Sequence, residues 1–154
     1  MTKSKDSAGV VPAPVYYLAA GAVGGALEAF VPSSVLTGGG TRWLAGGLLV
    51  VSVALVASAV RELHKAGTAF DARKSTTAIV KSGAFGITRN PTYLALTFLL
   101  AAIAIAFNSA WLLASTVLAV LLTHNLVVLP EERYLDAKFG AEYTEYKARV
   151  RRWI

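Results

Sequence analysis

Long stretches without charged residues dominate the pattern of hydrophobic and polar positions along the chain. Three such stretches are bounded by charged side chains: Asp6 to Glu28, Arg42 to Arg61, and Arg89 to Glu131. Each stretch is long enough to hold a membrane-spanning helix of roughly 20 residues. The third contains 41 uncharged residues and can hold two such helices. The pattern therefore predicts a polytopic membrane protein.

The polar breaks between the apolar runs define four predicted spans in a single domain over residues 1–154. The spans cover residues 15–35, 43–60, 93–107 and 111–129, and the polar segments are residues 61–92 and 130–154. Asn108 and Ser109 separate the last two spans, and a break this short predicts a helical hairpin. The expected fold class is an all-α membrane helix bundle with a C-terminal amphipathic helix.

The lysine and arginine residues outside the spans predict the orientation of the bundle. The N-terminal tail has two of them, residues 61–92 have six and residues 130–154 have six. The glycine turn between the first two spans has only Arg42, and the Asn108 turn has none. Because positive residues collect on the cytoplasmic side, we expect a multi-pass inner-membrane protein with both termini in the cytoplasm.

The composition agrees with a membrane location. The chain is 55% apolar and 16% charged, whereas soluble proteins average about 45–50% and about 25%. No cysteine is present, which excludes disulfides and a cysteine nucleophile, and two histidines far apart do not predict a metal centre. The net charge of +6 comes from residues at the ends of apolar runs. The expected partner is therefore the lipid bilayer, with no metal and no nucleic acid.

Glu28 is an acidic residue inside the first predicted span. A carboxylate at that depth indicates a functional site by default. Its position near Pro32 also allows it to reach the membrane interface or a neighbouring helix. The sequence leaves both interpretations open.

The C-terminal segment carries a stripe of large apolar residues. Its members are Leu135, Phe139, Tyr143, Tyr146, Val150 and Trp153. Spacings of three and four residues place them on one helical face. The stripe predicts an amphipathic helix that rests on the membrane surface, closes as a lid over a cytoplasmic site, or does both.

Two polar clusters flank the predicted hairpin on its cytoplasmic side. The first is the glycine-containing segment 81–93, in which Pro91 suits the first turn of a helix. A helix start exposes N–H groups that can receive a carboxylate. The second is Glu131 and Glu132, which could act as acid and base, ligate a metal or end a helix. Neighbouring helical residues point about 100° apart, so a shared-proton pair is not expected.

Taken together, the clusters resemble those of the isoprenylcysteine carboxyl methyltransferase and phospholipid methyltransferase group of integral membrane enzymes. The resemblance covers roughly residues 66–154. Its motifs are the glycine turn, Arg89-Asn90-Pro91-Thr92-Tyr93, two spans, Glu131-Glu132 with Leu135, and Phe139-Gly140 with Tyr143 and Tyr146. The resemblance implies a short bacterial-type member of this family.

The resemblance also implies a cofactor site on the cytoplasmic side. Such enzymes bind S-adenosylmethionine between the membrane helices and the C-terminal segment and release S-adenosylhomocysteine. Carried over by motif, the cofactor contacts are Thr77, Ala78, Ile79, Val80, Phe85, Asn90, Pro91, Thr92, Tyr93 and Glu131. The helix start after Pro91 suits the cofactor carboxylate, and Glu131 suits its ammonium group. Phe85 or Tyr93 could pack the adenine or face the sulfonium.

Two positions depart from the family pattern. Asn90 stands where the family usually has a histidine, which removes a titratable group but keeps a hydrogen-bonding one. Val127 stands where the prenylcysteine enzymes have an arginine that helps to hold the substrate carboxylate. The motif thus lacks the arginine that would help to hold a prenylcysteine carboxylate, while the cofactor contacts carried over above are unaffected.

Two residues are candidates for a role in the chemistry itself. His124 could take a proton from the acceptor, because imidazole titrates near neutral pH, or form a helix-packing pair with Asn125. Arg89 could contact the substrate or anchor a lipid phosphate.

The expected function is methyl transfer to a lipophilic or membrane-embedded acceptor, such as a lipid amine, a carboxylate or a small hydrophobic thiol or acid. The alternative is a noncatalytic membrane scaffold or small carrier that retains the fold.

Overall fold

The computed structural model describes residues 10–35, 40–68 and 76–154. The predicted N-terminal tail, most of the glycine turn and residues 69–75 lie outside the described residues. Throughout the described part of the chain the regular structure is helical, without β-strands. The all-α expectation is therefore confirmed for these residues.

The first two helices are α1 (Ala13–Phe30) and α2 (Thr41–Lys65). Helix α1 has a proline in its first turn, where the missing N–H costs no hydrogen bond. It ends five residues before the predicted boundary. Val31 precedes Pro32, and a residue that precedes a proline disfavours the helical conformation. Helix α2 runs beyond its apolar segment to Lys65, whose ammonium group donates to Glu62 at 2.9 Å.

Helices α3 (Pro91–Ala106) and α4 (Ala110–Thr123) form the predicted hairpin. Asn108 takes the left-handed conformation (φ 51°) between them, which asparagine tolerates better than most residues. The Ser109 hydroxyl accepts a hydrogen bond from the backbone N–H of Leu112 and caps the start of α4. A connection of three residues, Phe107 to Ser109, is therefore sufficient to reverse the chain.

The helix that contains the fourth apolar segment continues past residue 129. A single π-helical turn (His124–Val128) joins α4 to α5 (Leu129–Phe139), so that one helix runs over Ala110–Phe139. Pro130 lacks an N–H, and its ring would clash with the carbonyl of residue 126 in a regular α-helix. The wider turn just before the proline accommodates it and lets the helix continue into the polar segment.

The single C-terminal helix expected from the apolar stripe is divided in two. Helix α5 ends at Phe139, and α6 (Ala141–Arg149) begins after Gly140, whose φ of 53° and ψ of −120° favour glycine. The ammonium group of Lys147 binds Asp136 at 2.7 Å and fastens the two helices together. Residues 150–154 then continue without helical structure and are called the C-terminal strap below.

Helix α1 packs on α4, α2 packs on α3, and α3 packs on α4. The central contact contains Tyr17, Leu100, Ala104, Leu112 and Ala119, all buried. Many large apolar side chains on α1, α2 and α4 point outwards instead. Among the described residues, two helices are long and apolar enough to cross a membrane, Thr41–Lys65 and Ala110–Phe139. Helix α3 is apolar but shorter.

Glu28 joins α1 to the α3–α4 turn. One of its carboxylate oxygens accepts from the Ser33 backbone N–H at 2.8 Å. The other accepts from the hydroxyls of Ser33 and Ser109. The structure therefore agrees with the interpretation in which Glu28 reaches a neighbouring helix, at the end of the bundle opposite the cavity described next.

Candidate functional site

A cavity of about 340 Å³ lies where α1 and α3 begin and α2 ends, beneath α5 and α6. Segments far apart in the sequence form its wall: residues 12–14, Leu63, Thr76, residues 78–80, Phe85, residues 89–93, Val128, Glu131, Glu132, Leu135, Tyr143 and Tyr146. Most of the lining is apolar, with polar groups concentrated at the starts of α3 and α5. Such a cavity suits a ligand that has both apolar and charged parts.

The start of α3 faces this cavity without a side-chain cap. Asn90 occupies the N-cap position, but its side-chain amide donates to the Arg152 carbonyl at 2.9 Å instead of interacting with the helix. Its backbone N–H donates to the Thr88 hydroxyl. Within the described structure, no side-chain cap therefore occupies the positive end of the helix dipole, which can receive an anionic group.

Glu131 forms the acidic part of the cavity wall. The Tyr93 hydroxyl donates to its Oε2 at 2.8 Å. Among the described residues, no lysine or arginine forms an ion pair with Glu131. A carboxylate that is recessed in a cavity and paired only with a neutral hydroxyl is suited to a cationic ligand group.

Glu132 has a different environment, although it is the next residue. Its carboxylate receives two parallel hydrogen bonds from Arg152, with Nε at 2.9 Å and Nη2 at 2.8 Å. Arg89 Nη1 lies 3.0 Å from Oε1. The Glu132 carboxylate is thus neutralised from within the chain, which leaves Glu131 as the acid available to a ligand.

Arg89 brings a positive charge to the same cavity. Its side chain is only 10% exposed, and within the described residues its Nε has no hydrogen-bond partner. Its Nη1 forms an ion pair with the Glu132 carboxylate but makes no hydrogen bond of good geometry with it. A buried guanidinium with unused N–H groups can bind a carboxylate or phosphate oxygen.

The C-terminal strap is fixed across the loop that precedes α3. The backbone N–H of Arg89 donates to the Arg151 carbonyl at 3.0 Å. The Arg152 carbonyl accepts from both the Thr88 hydroxyl and the Asn90 amide. Helix α6 adds a bond from the Tyr146 hydroxyl to the Phe85 carbonyl at 2.7 Å. The C-terminal segment is therefore bound to the loop that borders the cavity, and α6 forms part of the cavity wall. Its action as a lid remains a prediction.

Two buried tyrosines of α6 line the covered side. Burial, together with the nearby charge of Glu132, raises the pKa of Tyr143 to about 12. Burial also raises the pKa of Tyr146. Both phenols consequently remain protonated at neutral pH and stay neutral hydrogen-bond donors.

The structure gathers most of the predicted site residues in this cavity. The residues that line it are Ala78, Ile79, Val80, Phe85, Arg89, Asn90, Pro91, Thr92, Tyr93 and Glu131. Thr77 is exposed, and its backbone N–H and hydroxyl donate to Thr68 and Gly67, while Thr76 lines the cavity instead. Their roles toward a ligand remain predictions.

His124 is not brought to the cavity. It lies in the π turn with its ring 6.2 Å from that of Trp153. The hydrogen-bonded pair with Asn125 is also not formed, because the Asn125 amide donates to the Leu121 carbonyl. A role of His124 in the chemistry remains a prediction.

Several lining residues were not among the predicted contacts. Tyr143, Tyr146 and Leu135 belong to the C-terminal stripe, so the stripe itself was the signal for them. No pattern in the sequence predicts that residues 12–14 and Leu63 line the cavity. The packing of α1 and α2 against α3 brings them there.

Over the described residues, the regular structure is helical, the helices are as apolar as membrane helices, and a cavity with charged residues lies at one end of the bundle. The chain belongs to the phospholipid methyltransferase family, whose model matches residues 41–142. It is also 42% identical, over 45 residues, to an uncharacterized protein of Haemophilus influenzae. That stretch covers 29% of this chain and 68% of the relative. No solved structure matches.

The family assignment confirms the resemblance drawn from the motifs. It supports methyltransferase activity on membrane lipid-type substrates, and the apolar helices support association with the membrane. Helix α1 and residues 143–154 lie outside the matched range, although both contribute to the cavity wall.

Proposed function

We propose that this protein transfers a methyl group from S-adenosylmethionine to a lipophilic acceptor and binds the cofactor in the cavity beneath the C-terminal strap. The observation that carries the proposal is the pairing of two complementary charged elements in one cavity. Glu131 is a carboxylate without a cationic partner among the described residues, and α3 begins there without a side-chain cap. An amino acid group has the ammonium and carboxylate that these two elements complement.

The residues present fit the cofactor. The start of α3 at Pro91 and Thr92 would hold its carboxylate, and Glu131 would hold its ammonium group. Phe85 and Tyr93 offer aromatic surface to the adenine or to the sulfonium. When bound, the cofactor supplies a methyl group activated by the positive sulfur. The protein then has to align the acceptor and exclude water, a task that an enclosed, mostly apolar cavity can perform.

Arg89 is proposed to contact an anionic group of the acceptor, either a carboxylate or a lipid phosphate. Its unused Nε donor and its low exposure support this role. The acceptor classes are a lipid amine, a lipophilic carboxylate and a small hydrophobic thiol or acid. His124 is kept as a candidate proton acceptor, and activity retained in His124→Gln would remove it from that role.

The membrane arrangement is also part of the proposal. Four spans (residues 15–35, 43–60, 93–107 and 111–129) would cross the inner membrane, with both termini and the cavity on the cytoplasmic side. Helices α1 and α2 pack mainly on α4 and α3, and both reach the cavity wall, through Pro14 and Leu63. Lateral access between these two helices would let a lipid-like acceptor enter from the bilayer.

Two measurements on the purified protein test the proposal. Calorimetry in detergent should detect binding of S-adenosylmethionine or S-adenosylhomocysteine at sub-millimolar concentration. Incubation with methyl-labelled cofactor and total membrane extract should then place the label in a lipid-soluble product. Well-folded protein that gives no binding heat would contradict the proposal and favour a noncatalytic scaffold or carrier.

A further inference from the structure

Two arginines, one at the end of α6 and one in the strap, take no part in the ion pairs of the C-terminal segment. Lys147 binds Asp136, and Arg152 binds Glu132. Arg149 and Arg151 are exposed, and within the described residues no ion pair includes either of them. Glu145 lies one helical turn before Arg149, but no ion pair joins them. The end of α6 and the strap thus present unneutralised positive charge to the outside.

The aromatic end of the strap lies against the long apolar helix. The ring of Trp153 is 6.2 Å from that of His124 in the π turn. Leu121 and Leu126, close to His124 in the sequence, expose about half of their surface, as lipid-facing side chains do. Tryptophan is enriched where a membrane meets water. Trp153 thus has the residue type and the apolar neighbours of an interfacial anchor.

The same strap is bound through its backbone to the loop that borders the cavity. Its Arg151 and Arg152 carbonyls accept the bonds from Thr88, Arg89 and Asn90 described above. A strap that left its place would release Asn90, which lines the cavity at the start of α3. The position of the strap and the arrangement of the cavity wall at Asn90 are consequently coupled.

We propose that Arg149, Arg151 and Trp153 bind anionic phospholipid headgroups at the cytoplasmic membrane surface and that this binding holds the strap, and with it the cavity wall at Asn90, in place. The charge complementarity selects the partner, because the cytoplasmic leaflet carries anionic lipids that attract basic residues. Trp153 supplies the interfacial anchor. The part concerning the cavity and the orientation rests on the proposed function, whereas lipid binding by the strap can be measured without the cofactor.

The test uses the full chain in nanodiscs of phosphatidylcholine alone or mixed with phosphatidylglycerol. Since the chain has no cysteine, Ile154→Cys gives a single site for an environment-sensitive fluorophore. We expect a blue shift of the fluorophore and tighter S-adenosylhomocysteine binding in the anionic nanodiscs. Each basic residue near an anionic membrane surface strengthens binding roughly fivefold. The double variant Arg149→Gln/Arg151→Gln should therefore weaken the binding of the strap to the anionic membrane by up to about 25-fold.

Two controls separate charge from other effects. Arg149→Lys/Arg151→Lys keeps both charges and should keep the response to anionic lipid. Arg42→Gln removes a positive charge at the start of α2, the opposite end of that helix from the cavity, and should leave the response unchanged.

The proposal is overturned if the fluorophore responds equally in both nanodiscs or if the glutamine double variant keeps the anionic response. A response to soluble polyglutamate but not to anionic lipid would also overturn it, in favour of an acidic protein partner. A lipid response with equal cofactor affinity in both membranes would refute the coupling. A lipid response without cofactor binding in either membrane would refute the proposed function and uphold lipid binding by the strap.

Discussion

The ion pair between Glu132 and Arg152 should stabilise the fold by a measurable coupling energy. Its two hydrogen bonds, 2.9 and 2.8 Å long, are charge-assisted and parallel, and the Glu132 side chain is only 12% exposed. Hydrogen bonds to charged groups contribute about 1.5–3 kcal/mol. Because the Arg152 side chain is 37% exposed and partly screened, we expect a coupling of about 1–2 kcal/mol. Glu132→Gln alone should cost more, about 2–4 kcal/mol, because Arg89 also loses its anion.

A double-mutant cycle measures this coupling. Glu132→Gln, Arg152→Gln and the double variant are compared with the unmodified protein by the free energy of unfolding in a mild detergent. Lys81 and Glu142 provide a matched control, with the same 2.9 Å approach but side chains 45% and 52% exposed. Their cycle should give less than about 1 kcal/mol. A Glu132–Arg152 coupling no larger than that of the control would refute a strap held by this pair.

Two further predictions concern packing and pH. Gly24→Ala should destabilise the fold by about 1–3 kcal/mol, because the added Cβ would lie 2.7 Å from the Ser115 Oγ. Gly25→Ala, which meets nothing within 4 Å, should be neutral or slightly stabilising, and equal melting temperatures of the two variants would contradict this packing. The pKa of Tyr143 rises from 10.0 to about 12 because the folded protein buries the neutral phenol. The free energy of unfolding should therefore contain the full contribution of Tyr143 below pH 10 and lose it progressively toward pH 12. Tyr143→Phe should lessen that alkaline loss of stability, and an unchanged pH profile would contradict it.

The helices could largely be predicted from the sequence, because charge-free runs and prolines mark them directly. Helix α3 begins within two residues of its predicted start, since Pro91 suits a first helical turn. The continuation of the fourth segment past Pro130 could not be predicted in this way. A proline usually ends a regular helix, and only the π turn at residues 124–128 lets this helix continue.

The candidate site was predictable where one local motif contributes several residues and less so where packing decides. The family motifs lie in two segments, one around Asn90 and one around Glu131, and both residues line the cavity. The apolar stripe placed Tyr143 and Tyr146 on one helical face but missed the break at Gly140, because periodicity does not report a backbone φ of 53°. The wall supplied by residues 12–14 follows from the packing of α1 against α3 and α4, which no local pattern encodes.

Calorimetric titration with S-adenosylhomocysteine, performed on Glu131→Gln beside Glu132→Gln, tests the central claim most directly. If the Glu131 carboxylate holds the ligand ammonium in the cavity, its loss should weaken binding by about 1.5–3 kcal/mol, or roughly 10- to 150-fold. Glu132→Gln should lose less affinity and more thermal stability, because its carboxylate is bound to Arg152. Equal and negligible losses of affinity in the two variants would contradict the assignment of Glu131 to the cofactor site.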